Sequence, residues 1–467
     1  MTIALKTVFL PRRIPAHRNA QYLRYLGGAT LSALGDQFWY VALSYAAVRS
    51  ASPAAAGLVL SVSSVPRLLL VLFGGVLVDR YDVRKLMVGS DALRVVVCLV
   101  AAVLVTATPG LGLLAVIAVV FGIVDAVFMP ASAALRPQLL EPHQYASGAV
   151  LATLSGRLAL TIGAPLGGLV AATAGLGVAL VVNAVSFLAS MAAVMSVRPR
   201  PIASENSGSG EAEANHSAKT PNMTQTASAS ASASASATTN TNTNTNTKTG
   251  ADTDYSPRAT PAPPKESFAR SFLSGVSYLR RHPVLGPYVV WLTLCNIGFV
   301  GPLNVGAALL ATRRGWGAPG IGLLLTGFGV GAAVGALCMG KVRPRCGLGT
   351  WLAVAGAAEG VAAAAMALVP SLGAAIAASA IVGILSSAIG VPATVLQQSV
   401  TEDAFRGRFE SVVTLLSLGI VPLTMALMGV AVGVLGLRAA FVLSGSIEVL
   451  GVVCLVSRPF RDVRAPA

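Results

Sequence analysis

Long apolar runs recur along this 467-residue chain every 25 to 35 residues, and each is closed by a short polar or Gly/Pro break. A membrane-crossing helix needs about 20 consecutive apolar residues, and the pattern predicts twelve such helices. The first six cover residues 24–48, 54–78, 86–107, 110–135, 147–172 and 176–197. The second six cover 284–311, 319–340, 349–369, 372–397, 410–434 and 437–457. The first run follows Arg12, Arg13 and Arg18, as a cleaved leader would. It is too long for one, contains Asp36 and leads at once into another span, so it reads as the first membrane helix.

Between the two sets, residues 198–267 switch to Ser, Ala, Thr, Asn and Pro, with an alternating Ala/Ser tract at 227–237 and an alternating Asn/Thr tract at 240–247. Such a composition cannot bury a core and predicts a disordered linker. On a flexible-chain estimate its ends sit roughly 45 Å apart. After it, Phe268, Phe272, Leu273, Val276 and Leu279 share one helical face until His282-Pro283 ends the pattern. That predicts an interfacial amphipathic helix leading into the seventh span. The predicted organisation is a tail at 1–23, a six-helix half at 24–197, the linker, a second half with its amphipathic helix at 268–457, and a tail at 458–467.

The halves also resemble each other. Pro130-Ala131 and Pro392-Ala393, Pro165-Leu166 and Pro422-Leu423, and Leu176-Gly177 and Leu435-Gly436 recur at offsets of 262, 257 and 259 residues. A six-plus-six repeat joined by one long loop is a transporter architecture.

Composition agrees. Charged residues make up only 11% of the chain and apolar ones 54%, whereas soluble domains carry roughly 25% charged residues. Of the 33 Lys and Arg residues, 26 fall in the tails and in the loops after even-numbered helices, against four on the other face (Arg49, Arg313, Arg314, Arg438). The positive-inside rule then places both termini and the linker in the cytoplasm of a cell whose inner membrane the chain crosses. The same asymmetry accounts for the formal charge of +15 without a nucleic-acid partner. Cysteines placed at Ser228 and Thr243 are therefore expected to resist an impermeant thiol reagent in intact cells. Labelling from outside would invert the orientation.

The five cysteines (Cys98, Cys295, Cys338, Cys346, Cys454) are widely spaced, and the four histidines all fall in predicted cytoplasmic segments. No metal-ligating or nucleophile–base set lies in the spans, which argues against an enzyme and predicts no bound cofactor or metal. A sensor that does not transport is a weaker alternative, because no folded soluble domain is apparent.

The most specific motif is GGVLVDRYDVRK at residues 74–85, in the loop after the second span. It resembles the signature loop of the major facilitator superfamily, with Gly75, Asp79, Arg80, Arg84 and Lys85 at the motif positions. The resemblance implies an all-α integral membrane protein with twelve helices in two six-helix halves. It also implies that Asp79 caps a helix of the other half and latches one conformation. The equivalent loop at 335–345 keeps Gly335 and Lys341 but has Gly340 in place of the acid, so the latch is one-sided. If Asp79 is conformational, Asp79→Asn slows turnover and leaves substrate affinity within a few-fold. Selective loss of binding with normal cycling would contradict this.

Further stretches narrow the resemblance. LSALGDQFWYVAL (31–43), DAVFMPASAALRPQL (125–139), NAVSF (183–187), YLRRHP (278–283) and EDAFRGRFES (402–411) are similar to the macrolide-efflux-like branch of the drug:proton antiporters, which also includes siderophore exporters. The branch implies efflux of a small amphipathic substrate driven by the proton gradient, by a monomer. Its antiporter motif in the fifth span is partly present, with Gly163, Gly167 and Gly168 in place and the proline displaced to Pro165. The Arg-bearing motif of the fourth span is missing.

Counting 1.5 Å per residue from the predicted cytoplasmic ends puts Asp36, Arg67, Asp125 and Arg157 roughly 15–18 Å deep, near the bilayer midplane. A lone charge there costs about 2.5–3.5 kcal/mol on insertion scales. Two of each sign at one level imply pairing around a central cavity, for proton coupling or as structural salt bridges. Glu359 and Glu448 reach similar depth in helices that are peripheral in the facilitator fold, where a packing or protonated-acid role is expected. Asp91 and Arg94 have the spacing of a local helix pair. Phe38, Trp39, Tyr40, Phe121, Phe128, Trp291 and Phe299 are candidates to stack on an amphipathic substrate or to pack the core.

Overall fold

The computed structural model describes residues 15–107, 110–199, 268–339, 347–401 and 405–455. Residues 1–14, 108–109, 200–267, 340–346, 402–404 and 456–467, which include nearly all of the predicted linker and the C-terminal tail, lie outside that set.

The described chain is helical. The first half contains α1 (Ala20–Ser50), α2 (Pro53–Val62), α3 (Ser64–Arg80), α4 (Val83–Ala107), α5 (Leu111–Leu139), α6 (Tyr145–Thr173) and α7 (Gly175–Ser196). The second contains α8 (Phe268–Arg281), α9 (Leu285–Gly301), α10 (Ala307–Arg313), α11 (Gly317–Met339), α12 (Leu348–Leu368), α13 (Leu372–Val400), α14 (Arg406–Leu435) and α15 (Leu437–Gly451). Among the described residues, eleven helical stretches are long and apolar enough to cross a membrane. The twelfth crossing is α1, a 31-residue helix made more polar by Arg24, Asp36, Gln37 and Arg49.

Local chemistry sets the helix ends. Asn19 accepts from the Tyr22 amide to start α1, Ser52 with Pro53 behind it starts α2, and Ser371 starts α13. Outward faces carry exposed Val100, Val103, Val116, Leu169, Val361 and Val434. Such a belt is tolerable only where lipid is the solvent.

Two crossings are interrupted where the sequence predicts continuous spans. The second breaks at Ser63, between α2 and α3. Pro66 supplies no amide for the carbonyl four residues back, and Ser63 Oγ turns inward to donate to Leu60 O at 2.8 Å. The seventh passes through a π-helical turn, Pro302–Gly306, between α9 and α10. A proline at its start removes the regular bond and widens the turn.

The two halves meet at the ends of their helices farthest from the N-terminus, at two crossings made by glycines. A Cβ on Gly57 of α2 would come within 2.9 Å of Gly429 Cα and Met425 O of α14. One on Gly168 of α6 would lie 2.5 Å from Ala318 O and 3.0 Å from Pro319 Cα of α11. Only the hydrogen side chain allows these backbones so close. Farther along the α6–α11 crossing, Thr326 of α11 donates to Thr161 O of α6 at 3.2 Å.

Candidate functional site

Inside the N-terminal half, α1, α2, α3 and α5 surround a cavity of about 290 Å³. Its walls include Asp36, Trp39 and Tyr40 from α1, Arg67 from α3, and Phe121 and Asp125 from α5. Helix periodicity explains the set. Asp36, Trp39, Tyr40 and Leu43 recur at three- and four-residue spacing, as do Phe121, Gly122 and Asp125.

Asp125 receives two guanidinium groups, Arg67 on one carboxylate oxygen and Arg94 of α4 on the other. Arg94 also lies 3.5 Å from Asp91, one turn back on its own helix. The Arg94 side chain is 3% exposed, and its guanidinium sits 4.1 Å over the Phe128 ring and 5.1 Å over the Phe187 ring. It is therefore held by charge and by aromatic faces together. Arg67 is 38% exposed and presents part of its guanidinium to the cavity.

Asp36 borders the same space, with Asp125, Arg94, Arg67 and Asp91 as its charged neighbours. Among the described residues it forms no ion pair. Three carboxyl groups thus stand against two guanidiniums, so the ionised cluster carries one negative charge in excess. A proton or a cationic group on a substrate would complete it.

The backbone around Asp36 is fixed closely. A Cβ on Gly35 would meet Asn183 Oδ1 of α7 at 2.5 Å and Ser186 Cβ at 2.7 Å. Gly163 and Gly167 of α6 face α1 from another side, with Gln37 Cβ and Phe38 Cα within 2.9 and 2.8 Å of where their Cβ atoms would lie. Gly168 faces the other half instead, and Pro165 Cα lies 2.8 Å from the Cβ position of Gly322 on α11. The four antiporter-like positions therefore pack α6 against α1 on one side and α11 on the other.

Arg157, on α6, neither borders this cavity nor forms an ion pair among the described residues. The second guanidinium on Asp125 belongs to Arg94, whose spacing from Asp91 predicts only a local pair. Asn304 was also not singled out by the sequence. It sits in the π-helical turn and accepts a 2.6 Å hydrogen bond from Tyr40 of the cavity wall, tying the cavity to the second half. Its one signal is an amide side chain two residues after an intramembrane proline.

Of the aromatic candidates, Trp39 and Phe121 stack at 5.0 Å on the cavity wall, while Phe38 is buried beside Gly167. Phe128 carries Arg94, and Phe299 packs on Phe328 at 5.5 Å. Trp291 is fully buried in the second half.

In the signature loop, Gly75 and Asp79 fall in α3, with side chains outside the described residues. Arg80 and Lys85 are exposed at the loop. Arg84 donates to the carbonyls of Val194, at 3.2 Å, and Met195 at the end of α7. The acid capping α4 is Asp82, which accepts from the Lys85 amide at 3.0 Å.

The family model described as Major Facilitator Superfamily matches residues 25–305. The chain belongs to this superfamily. Solved structures of similar fold include the nucleoside transporter NupG, at 10% identity and a TM-score of 0.66, covering 93% of this chain and 98% of that one. A bacterial homologue of the iron transporter ferroportin in an inward-facing state has 14% identity and a TM-score of 0.63 over 93% and 98% of the two chains. The D-xylose-proton symporter has 11% identity and a TM-score of 0.63 over 93% and 97%. At these identities the likeness is one of fold. No curated protein sequence matches the chain. A facilitator-superfamily transporter of a small molecule, spanning the membrane many times, is the reading that fold and family support together.

Proposed function

We propose that this transporter exports small amphipathic molecules, of drug or antibiotic type, in exchange for protons. The observation that carries the reading is the cavity itself. A stacked Trp39–Phe121 wall and Tyr40 offer an apolar and aromatic surface, and beside them lies a carboxyl group with no guanidinium of its own. The first suits an amphipathic body. The second gives a proton and a substrate one group to compete for.

A coupling acid must change protonation within the physiological range, away from the ordinary carboxylate value near 4. Burial and nearby charge are the levers that set this. Asp36 is the better candidate of the two acids, since Asp125 is occupied by Arg67 and Arg94. With the basic residues inside, the glycine crossings close the outer end of the cavity, and substrate enters from the cytoplasm or the inner leaflet. The protein acts as a monomer in the inner membrane, with both termini and the 198–267 linker cytoplasmic, and needs no cofactor beyond the proton gradient.

A dedicated exporter of one natural product, such as a siderophore, is the second reading, favoured by the exposed part of Arg67, which could hold an anionic group. An accumulation panel in an efflux-deficient host separates the two. Several unrelated lipophilic compounds kept out support the first reading, and a single anionic product supports the second.

A further inference from the structure

The C-terminal half holds two acids that the cavity does not use. Glu359 of α12 and Glu448 of α15 are 4% and 0% exposed, and their carboxyl groups lie within interacting distance of one another. Three of their four oxygens, both of Glu448 and one of Glu359, have no hydrogen-bond donor. Ser386 of α13 is the hydroxyl within reach of Glu359.

Glycines bring the helices together here. A Cβ on Gly298 of α9 would meet Glu448 Cβ at 2.7 Å, and one on Gly360 of α12 would meet Gly445 O of α15 at 2.6 Å. Cys295 of α9, and Cys454 just beyond α15, are the other titratable groups facing the pair, and α14 presents Thr424 and Met428 to the same helix α9. Among the described residues no Lys, Arg or His forms an ion pair with either glutamate.

A second unmet group lies in the same seam. Trp291, seven residues before Gly298 on α9, is fully buried, and its indole N–H has no acceptor. It packs beside Gly356 and Gly451, each one turn from a glutamate. The seam therefore contains an unmet donor beside unmet acceptors, with no cation to balance two carboxylates.

We propose that Glu359 and Glu448 hold one proton between them, forming a proton site in the C-terminal half that is separate from the Asp36–Asp125 cavity. Two ionised carboxylates this close, away from water and without a cation, repel strongly. One shared proton turns the repulsion into a carboxyl-to-carboxylate hydrogen bond, which is short and charge-assisted. The remaining negative charge faces the Ser386 hydroxyl, with the unmet Trp291 indole beside Gly356 and Gly451, one helical turn away. The proton comes from water and returns to it, so no other reactant is needed.

Infrared spectroscopy of the full-length protein in lipid nanodiscs at neutral pH tests this, with protonated carboxyls identified by the shift of their carbonyl band in D2O. The expected difference between the wild type and Glu359→Gln/Glu448→Gln is the loss of one protonated-carboxyl band. Glu359→Gln or Glu448→Gln alone should each also remove the band, because a lone carboxylate meets no like charge and accepts from the glutamine amide instead. Asp36→Asn should leave the band in place, which separates this site from the cavity. An unchanged spectrum in the double variant, loss of two protonated carboxyls, or a protonated-carboxyl band that persists in either single variant would each overturn the proposal. The single, isosteric variants decide the question even if the double variant does not fold.

Discussion

Asp36→Asn is expected to abolish substrate uptake driven by an imposed pH gradient in inverted vesicles, while substrate still binds and equilibrates. Asparagine has nearly the same shape and can hydrogen-bond, but it cannot take up a proton. Each proton moved through 100 mV supplies roughly 2.3 kcal/mol, enough for about a 50-fold substrate gradient, and that whole gradient should vanish. The neighbouring acid should behave differently. Asp125 holds Arg67 and Arg94, and removing one partner of a buried ion pair costs roughly 3–5 kcal/mol. Asp125→Asn should therefore lower the yield of folded protein as well as transport. If both variants keep proton-dependent uptake, the cluster is structural.

Gly168→Leu and Gly429→Leu are expected to force the outer end open. Each side chain would enter a space already filled by backbone, at 2.5 Å from Ala318 O for Gly168 and 2.5 Å from Pro53 O for Gly429. Overpacking of this kind costs about 1–3 kcal/mol. Placed on one of two alternating conformations, it shifts their ratio roughly 5- to 150-fold. A cysteine at Ser63, which borders the cavity, reports the shift in a background with the native cysteines replaced. It should become reactive to an impermeant thiol reagent from outside in both leucine variants and stay protected without them. Protection in all backgrounds, with normal transport, would mean that the crossings are not a gate.

The spans were legible because lipid imposes a simple rule of about 20 apolar residues per crossing, and Asn19, Ser52 and Ser371 mark helix starts by ordinary capping. The depth count set Asp36, Arg67, Asp125 and Arg157 at one level, and the structure brings the first three to one cavity and leaves Arg157 outside it. The rotation of each helix about its axis was not legible, since hydropathy says how deep a residue lies and not which neighbour it faces. Arg94 shows the consequence. Its spacing from Asp91 explains a pair within α4, yet the packing of α4 on α5 also delivers it to Asp125. Tyr40 and Asn304 are 264 residues apart, and nothing local to either announces the bond. The break at Ser63 follows from Pro66, but prolines inside α5, α6, α13 and α14 leave those helices continuous. Packing decides which proline interrupts a membrane helix.

Proton-coupled export is tested most directly by drug accumulation in efflux-deficient cells that express the chain, measured before and after a protonophore collapses the gradient. At least one amphipathic compound is expected to be held below its level in control cells, and to rise to that level once the gradient is gone. Exclusion that survives collapse of the gradient, or equal accumulation of every compound with and without the protein, would contradict proton-coupled export.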